Sequence, residues 1–476
     1  MKFKEALDHI PGLNTVKMKL GVESAIGRHC LMELPFVTDA AALAREFEYI
    51  KEILEFLSNP EFCELPIPIL GIMREVHDIR TTLRRLEAGS ILDDVELFEI
   101  KRLIMQTGEL FYYLNFGNLY KIPVFNTPNL KEARELLDPE KTDNLHFHIY
   151  DSYSKELAKK RKKLRRLQSK EDYDRQKSED LMADCIRLEG EVRQQLTEKL
   201  RPHAPALMET LLKTGEATVL FHKAVMATTL NLCIPEFTEG VTSYRELRYL
   251  PFEESLKNQN KEFQPVDIEL HEGVTLITGT NMGGKTITLK SVQLAQAMAQ
   301  FGFCIGAGEA RITPVEEICS LLHDETRDLE SGLSDFGAEI LRINEILAKT
   351  ADGKRRLVIM DEPGRTTNPE EGSAIANAII DILDKSKSFT LITTHYSNIE
   401  ASCRRLKVKG IKESAFTAEI TSPTDLVPYM DYSLVETEGK EAARDALRIG
   451  RLLNIDKDFA LAIEKRLTEQ QTDTEQ

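Results

Sequence analysis

The sequence has no apolar run approaching the ~18 residues that a membrane-spanning helix needs, so it predicts no membrane segment. Its first ten residues include acidic side chains where a secretory signal peptide would have its apolar region. The seven cysteines are scattered, odd in number and without a Cys-x-x-Cys pair, which argues against a disulfide framework and against a zinc site. These absences predict a reducing, cytoplasmic location.

The sequence also has no excess of positive charge, because 62 basic residues stand against 78 acidic ones, for a net charge of −16. Proteins that rely on contacts to nucleic-acid phosphates are usually basic at least locally. The one local exception is Lys159–Arg166, in which seven of eight residues are basic. Since acidic residues follow over 171–184, a helix with mutually paired charges is favoured, and a nucleic-acid contact is the alternative.

What the sequence does contain is a phosphate-binding signature. Residues 279–286 read Gly-Thr-Asn-Met-Gly-Gly-Lys-Thr and fit the pattern G-x-x-x-x-G-K-[ST]. A β-rich apolar run, Val274–Thr278, precedes it, and apolar residues at helical spacing follow it. In that order, the glycines let the backbone wrap phosphates and the amides at the helix start attract anions. Lys285 is predicted to reach the β and γ phosphates of a nucleoside triphosphate, and the Thr286 hydroxyl to ligate Mg²⁺.

The hydrophobic periodicity divides the chain into three parts. Residues 1–250 are predicted to be helical, with the charged segment 154–200 forming a helical hairpin or short coiled coil. Residues 251–440 alternate between strands and helices, which predicts an α/β domain with a parallel sheet covered on both faces. Residues 441–476 return to a helical pattern and end in a polar tail. The predicted strands are Val274–Thr278, Arg356–Met360 and Phe389–Thr393, and the predicted helices are Ser291–Phe301, Ala338–Leu347, Glu371–Asp384 and Ile399–Arg404.

Two further strand ends carry groups that phosphoryl transfer needs. One apolar strand ends in Asp361 and Glu362. An acid at the first of these positions helps to hold Mg²⁺, and the next can polarise the attacking water. The following strand ends just before His395, on the ligand edge of a parallel sheet, where a catalytic role is favoured over a structural one.

A turn of small residues between these motifs is a second candidate anion site. It enters a predicted helix near Asp335, which makes Ser334 a candidate N-cap. Because residues 279–286 would already hold the chain's own phosphates, this turn is predicted to serve the nucleotide of another subunit.

Together, the motifs resemble the ATPase domain of the MutS family, which includes DNA-mismatch-repair proteins and belongs to the wider ABC-type ATPase group. The resemblance rests on residues 278–286, 361–372 and 393–396, and Asn281-Met282 is its most specific part. It implies an ABC-type P-loop NTPase domain of the α/β class, preceded by an all-α core and lever domain, with ATP and Mg²⁺ as cofactors.

The resemblance completes the predicted site. Phe263 matches the family's phenylalanine that stacks on adenine, and an ordinary core position is the alternative. The predicted nucleotide contacts are Phe263, Gly279, Asn281, Met282, Gly283, Gly284, Lys285 and Thr286; the metal contacts are Thr286 and Asp361; the catalytic residues are Glu362, His395 and Ser334.

Two features bear on the branch of the family. Glu371-Gly372 is more like the second bacterial branch, which is linked to recombination and ribosome rescue. Pro363 and Thr366 stand where the repair branch has isoleucine and glycine.

The resemblance also has consequences for organisation and assembly. His9–Leu20 is similar to the opening of the family's helical core, which implies a chain without the mismatch-reading and connector domains. A nuclease domain after the ATPase domain is likewise not expected. A homodimer is expected, in which Ser334 approaches the γ-phosphate held by the partner. The helices of 441–476 could hold that pair together, or pack on their own ATPase domain.

Two functions remain open at this point. The first is a DNA-associated ATPase of mismatch repair or recombination, in which ATP joins two ATPase domains and moves helical arms around double-stranded DNA. The second is a protein-remodelling ATPase, such as a reactivating factor for a cobalamin-dependent amino-acid mutase. A nucleotide-binding scaffold without turnover is least favoured, because the residues for hydrolysis are all present.

Overall fold

The computed structural model describes residues 1–117, 119–169, 174–279, 284–322, 335–396, 398–417, 426, 429–437, 452, 456, 458–459 and 461–463. Four predicted site residues, Asn281, Met282, Gly283 and Ser334, lie outside the described residues, as does most of 441–476. Among the helices that are described, none combines the length and the apolar composition that crossing a membrane requires.

The described residues before Leu230 form eleven α-helices. They are α1 (Phe3–Ala6), α2 (Leu13–Leu20), α3 (Ala25–Glu33), α4 (Ala40–Ser58), α5 (Pro66–Glu75), α6 (Arg80–Glu87), α7 (Asp94–Asn115), α8 (Lys131–Leu137), α9 (Lys155–Gln168), α10 (Arg175–Leu200) and α11 (Ala204–Leu230). The carboxylates of Asp93 and Asp174 and the hydroxyl of Ser154 cap the first turns of α7, α10 and α9. Six of the helices, α2 to α7, pack on α11, which is therefore the centre of this region.

The charged segment 154–200 folds into the helix pair α9 and α10. Leu157 of α9 is buried in the same apolar cluster as Leu188 and Val192 of α10. Outside this seam, Lys160 pairs with Asp184, and Arg161 pairs with Glu189 at 2.8 Å. The two helices are therefore joined by an apolar contact with ion pairs beside it.

The remaining elements alternate between strands and helices. They are β1 (Glu236–Phe237), β2 (Val241–Leu247), α12 (Leu250–Lys257), β3 (Val266–His271), β4 (Gly273–Thr278), α13 (Lys285–Gln300), β5 (Glu309–Ile312), β6 (Glu317–Leu321), α14 (Asp335–Thr350), β7 (Arg356–Asp361), α15 (Pro369–Leu383), β8 (Phe389–Thr393), β9 (Arg404–Ile411) and β10 (Met430–Glu436). The six-stranded sheet has the order β10-β9-β4-β8-β7-β6 and is parallel from β9 to β6, whereas β10 runs antiparallel to β9. A smaller sheet has the order β1-β5-β2-β3.

Helices cover both faces of the six-stranded sheet. Leu357 and Ile359 of β7 point into a cluster with apolar residues of α13. Val358 and Met360 of the same strand point into a second cluster, with residues of α14 and α15. This alternation explains why β7 reads as a continuous apolar run in the sequence, since both faces of the strand are buried.

The predicted strands match β4, β7 and β8, but the predicted helix Ile399–Arg404 is wrong. Residues 399–403 are irregular and β9 begins at Arg404, where it pairs with β4. The guanidinium of Arg405 donates to the carbonyl oxygens of Ile399 and Ala401 at 2.7 and 3.0 Å. These carbonyls therefore have a side-chain partner in place of a helical amide, and so short a run could not reveal this by periodicity. The smaller sheet and the strands β6, β9 and β10 were also not predicted.

The far end of α13 is anchored to the helical region through a buried lysine. The ammonium of Lys223 on α11 donates to the carbonyl oxygen of Phe301 at 2.7 Å and to Glu46 of α4 at 2.6 Å. Its side chain is 1% exposed. A cation at a helix C-terminus is electrostatically favourable, so this contact fixes the helix whose other end begins the candidate site.

Candidate functional site

The site begins where β4 ends and α13 starts. Gly279 and Gly284 have φ angles of +138° and +72°, a region that disfavours residues with a side chain. A Cβ atom on Gly284 would also lie 2.9 Å from the ring of Tyr432 in β10. Lys285 is the first residue of α13, and its ammonium donates to the Gly279 carbonyl oxygen at 2.7 Å. The lysine side chain therefore reaches back to the residue that directly follows β4.

Asp361 lies at the end of β7, where the sheet register places it opposite Thr393 of β8. Its two oxygens accept hydrogen bonds from the Thr286 hydroxyl at 2.7 Å and from the Thr393 hydroxyl at 2.5 Å. The carboxylate is therefore oriented by two elements, and it faces the hydroxyl predicted to share its metal.

Glu362 follows with a φ of +48°, which is unusual for a residue with a side chain. Its backbone amide donates to the Thr393 hydroxyl at 3.0 Å. Its carboxylate lies 3.4 Å from the ammonium of Lys285 and 3.5 Å from Nδ1 of His395. The side chain of Glu362 is 11% exposed and that of His395 is 41% exposed, so the histidine forms the more open side of the site.

The structure thus brings together Lys285, Thr286, Asp361, Glu362 and His395, which come from three separate segments of the sequence. Oxygen ligands such as the Thr286 hydroxyl and the Asp361 carboxylate are those that Mg²⁺ prefers. The cation of Lys285 and the backbone amides at the start of α13 suit phosphate oxygens. The residues present therefore fit a magnesium-bound nucleotide.

Phe263 is partly buried, and its role stays a prediction. Its ring meets that of Phe252 edge-on at 6.2 Å between centroids, and it packs on an apolar cluster that includes Leu294 of α13. The side-chain amide of the adjacent Gln264 donates to the Asp431 carboxylate at 3.0 Å, which connects this segment to β10.

Two residues near the site, Glu339 and Tyr396, have no role assigned to them from the sequence. Glu339 of α14 is 5% exposed and accepts from the Gly364 amide, and the hydroxyl of Tyr396 donates to the Gly364 carbonyl at 2.8 Å. Burial, and secondarily the charges of Glu339 and Glu362, raise the pKa of Tyr396. The sequence held one signal for Glu339, because it precedes the buried Ile343 by four residues and so stands in an apolar stripe.

Comparison with known proteins gives matches to the MutS family. Residues 275–443 match the family model of MutS domain V. Endonuclease MutS2 of Caldanaerobacter subterraneus subsp. tengcongensis is 33% identical over 236 residues, which cover 48% of this chain and 28% of that protein. Endonuclease MutS2 of Agathobacter rectalis is 30% identical over 286 residues, which cover 59% of this chain and 34% of that protein. Endonuclease MutS2 of Caldicellulosiruptor saccharolyticus is 36% identical over 189 residues, which cover 39% of this chain and 23% of that protein. The matched stretches span about a third or less of the length of these relatives.

Proposed function

Because this chain belongs to the MutS family, whose domain V is an ABC-type P-loop ATPase domain, we propose that it binds ATP with Mg²⁺ and hydrolyses it. The observation that carries the proposal is the convergence of Lys285, Thr286, Asp361, Glu362 and His395 on one sheet edge. Residues 251–440 would be the ATPase domain, 1–250 the core and lever, and 441–476 the dimerisation segment.

Each of these side chains has a chemical role in the proposal. Lys285 would bind the β and γ phosphates, and Thr286 and Asp361 would hold the metal, which supplies neutralisation of the phosphate charge. The carboxylate of Glu362 would orient the attacking water and accept its proton. His395, 3.5 Å from that carboxylate, would help to hold it in place on the open side of the site.

Replacing Lys285 by alanine tests the binding part of this proposal. The Lys285 ammonium contacts both the Gly279 carbonyl oxygen and the Glu362 carboxylate. Its loss should therefore weaken ATP binding. Removing a hydrogen-bonded charge from a phosphate site costs about ten- to hundredfold in affinity. Titration with a fluorescent ATP analogue, with and without Mg²⁺, measures the change. Lys290→Ala, on the same helix, is the matched control and should bind as the parent does. An unchanged affinity in Lys285→Ala would contradict the assignment.

For the client of the ATPase, we propose DNA, contacted by the basic side of α9. Lys159, Lys162, Lys163 and Arg166 recur at helical spacing, and all four side chains are exposed. None of the four forms an ion pair with an acidic side chain among the described residues, whereas Lys160, Arg161 and Arg165 pair with Asp184, Glu189 or Asp151. Four of the seven basic residues are thus available to phosphates, and the other three fix the charged arm that α9 and α10 form.

A charge-removal variant decides between DNA and a protein client. Alanine at Lys159, Lys162, Lys163 and Arg166 should flatten the salt dependence of DNA affinity by roughly one log–log unit for each phosphate that the arm no longer neutralises. Alanine at the exposed lysines 51, 131, 141 and 385 changes the net charge equally and serves as the control. Fluorescence anisotropy with duplex DNA over a range of salt concentrations measures both slopes. If the arm variant and the control bind alike, or if the parent does not bind, the protein-remodelling alternative is favoured.

A further inference from the structure

One buried carboxylate holds the loop after the acid pair at two points. Oε1 of Glu339 accepts a hydrogen bond from the backbone amide of Gly364 at 2.7 Å, and Oε2 accepts one from the Thr366 hydroxyl. Burying a carboxylate is costly unless hydrogen bonds compensate it, and those made to a charged group are the stronger kind. The contact therefore ties α14 firmly to this loop.

The opposite side of Gly364 is held as well. Its carbonyl oxygen accepts from the Tyr396 hydroxyl at 2.8 Å. Its φ is +84°, and a Cβ atom there would lie 2.9 Å from the backbone of Gly372. A Cβ atom on Gly372 would in turn lie 2.1 Å from the Tyr396 hydroxyl. The position of Gly364 is consequently restricted on both sides by contacts that leave no room for a side chain.

Glu362 stands two residues before this fixed point. Its left-handed backbone conformation is sparsely populated for residues with a side chain and persists only where the surrounding structure imposes it. On the N-terminal side, its amide is held by Thr393. On the C-terminal side, its carbonyl oxygen accepts from the Arg365 amide at 3.3 Å within the same turn, and the first residue held by other elements is Gly364. Loosening that anchor would free the backbone that follows Glu362, so the direction of its carboxylate would depend more on the Thr393 contact and on the side chains of Lys285 and His395.

We propose that Glu339 is a positioning residue for ATP hydrolysis, which holds Gly364 and Thr366 and thereby keeps the Glu362 carboxylate aimed at the attacking water. This inference rests on the proposed ATPase function. Glu339 acts through the loop that contains Gly364 and Thr366, and the proposal gives it no contact with the nucleotide. Glu339 lies in the first two turns of α14. The direction of the Glu362 carboxylate therefore depends on the position of that helix.

The test begins with Glu339→Ala. Removing both anchoring oxygens should lower kcat by about ten- to hundredfold, since small misplacements of a catalytic group have effects of this size. The KM and the affinity for an ATP analogue should stay within about twofold, because the groups that bind phosphate and metal are untouched. Glu345→Ala, exposed on the same helix, is the control and should keep the parent kcat. Thr366→Val removes one of the two contacts and should cause a smaller loss of roughly three- to tenfold.

A second measurement separates positioning from a general structural effect. In a Glu362→Gln background, adding Glu339→Ala should lower the residual turnover no further, because the group that Glu339 aims is already gone. A loss that multiplies with that of Glu362→Gln would overturn the proposal, as would a parent-like kcat in Glu339→Ala. If Glu339→Ala does not fold, an unchanged kcat in Thr366→Val overturns it instead. Parent-like turnover in Glu362→Gln would refute the ATPase assignment itself, which keeps the two failures distinct.

Discussion

Replacing Glu362 by glutamine is expected to leave ATP bound and to lower its turnover by a factor on the order of 10² or more. The carboxylate lies between the Lys285 ammonium and the His395 ring, at 3.4 and 3.5 Å, and the amide retains its shape while losing its basicity. Phosphate and metal contacts come from other side chains, so binding should survive. Single-turnover hydrolysis and equilibrium binding of ATP, measured on the same preparation, check the two halves of this prediction.

Glu370→Gln is the matched control, because it makes the same chemical change at an exposed residue at the start of α15. It should hydrolyse ATP at the parent rate. Equal rates in Glu362→Gln and the parent would remove the catalytic assignment, whatever the binding data show.

Ser334→Arg is expected to abolish turnover while ATP binding stays nearly intact, if two subunits form composite sites. In that arrangement each site combines the P-loop and acid pair of one subunit with the turn at Ser334 of the other. Mixing Ser334→Arg with Lys285→Ala should then restore part of the activity, because one of the two mixed sites contains both intact halves. The ATPase rate of the mixture after subunit exchange is the measurement.

The control for this mixing is Lys285→Ala with Glu362→Gln. Both substitutions lie in the same half of the site, so each mixed site keeps one damaged half and the activity should not return. Absence of rescue in the first mixture despite demonstrated exchange, or full activity of a strictly monomeric parent under ATP, would rule out the composite site.

The chemistry of the site was accessible from the sequence because it lies in short contiguous motifs. The order of strand, glycine turn and helix around Lys285 requires only neighbouring residues, and the same holds for an apolar strand that ends in Asp361 and Glu362. The strands β4, β7 and β8 were predicted for a related reason: both faces of each are buried, so each reads as a short run of apolar and β-branched residues without charged residues in its interior.

The relative positions of the motifs depend on contacts between segments that are distant in the sequence. Asp361 faces Thr393 because β7 pairs with β8 in one register, a relation between segments more than thirty residues apart. It meets Thr286 across a separation of 75 residues. The segment 399–404 is irregular because Arg405 binds its carbonyl oxygens, and a side-chain contact of this kind leaves no periodic trace.

By itself, then, the sequence determined the nature of the reacting groups, since glycine, lysine, hydroxyl and carboxylate each have a fixed chemistry at a fixed spacing. Only the tertiary structure decided their arrangement and support. It paired three of the seven basic residues in the run on α9 with acids and left the other four exposed without an ion pair to a described residue. It also placed Glu339 of α14 against Gly364, a contact between groups 25 residues apart that neither local motif implies. The physical reason is that burial and sheet register act across the whole chain, whereas a motif records only the residues beside it.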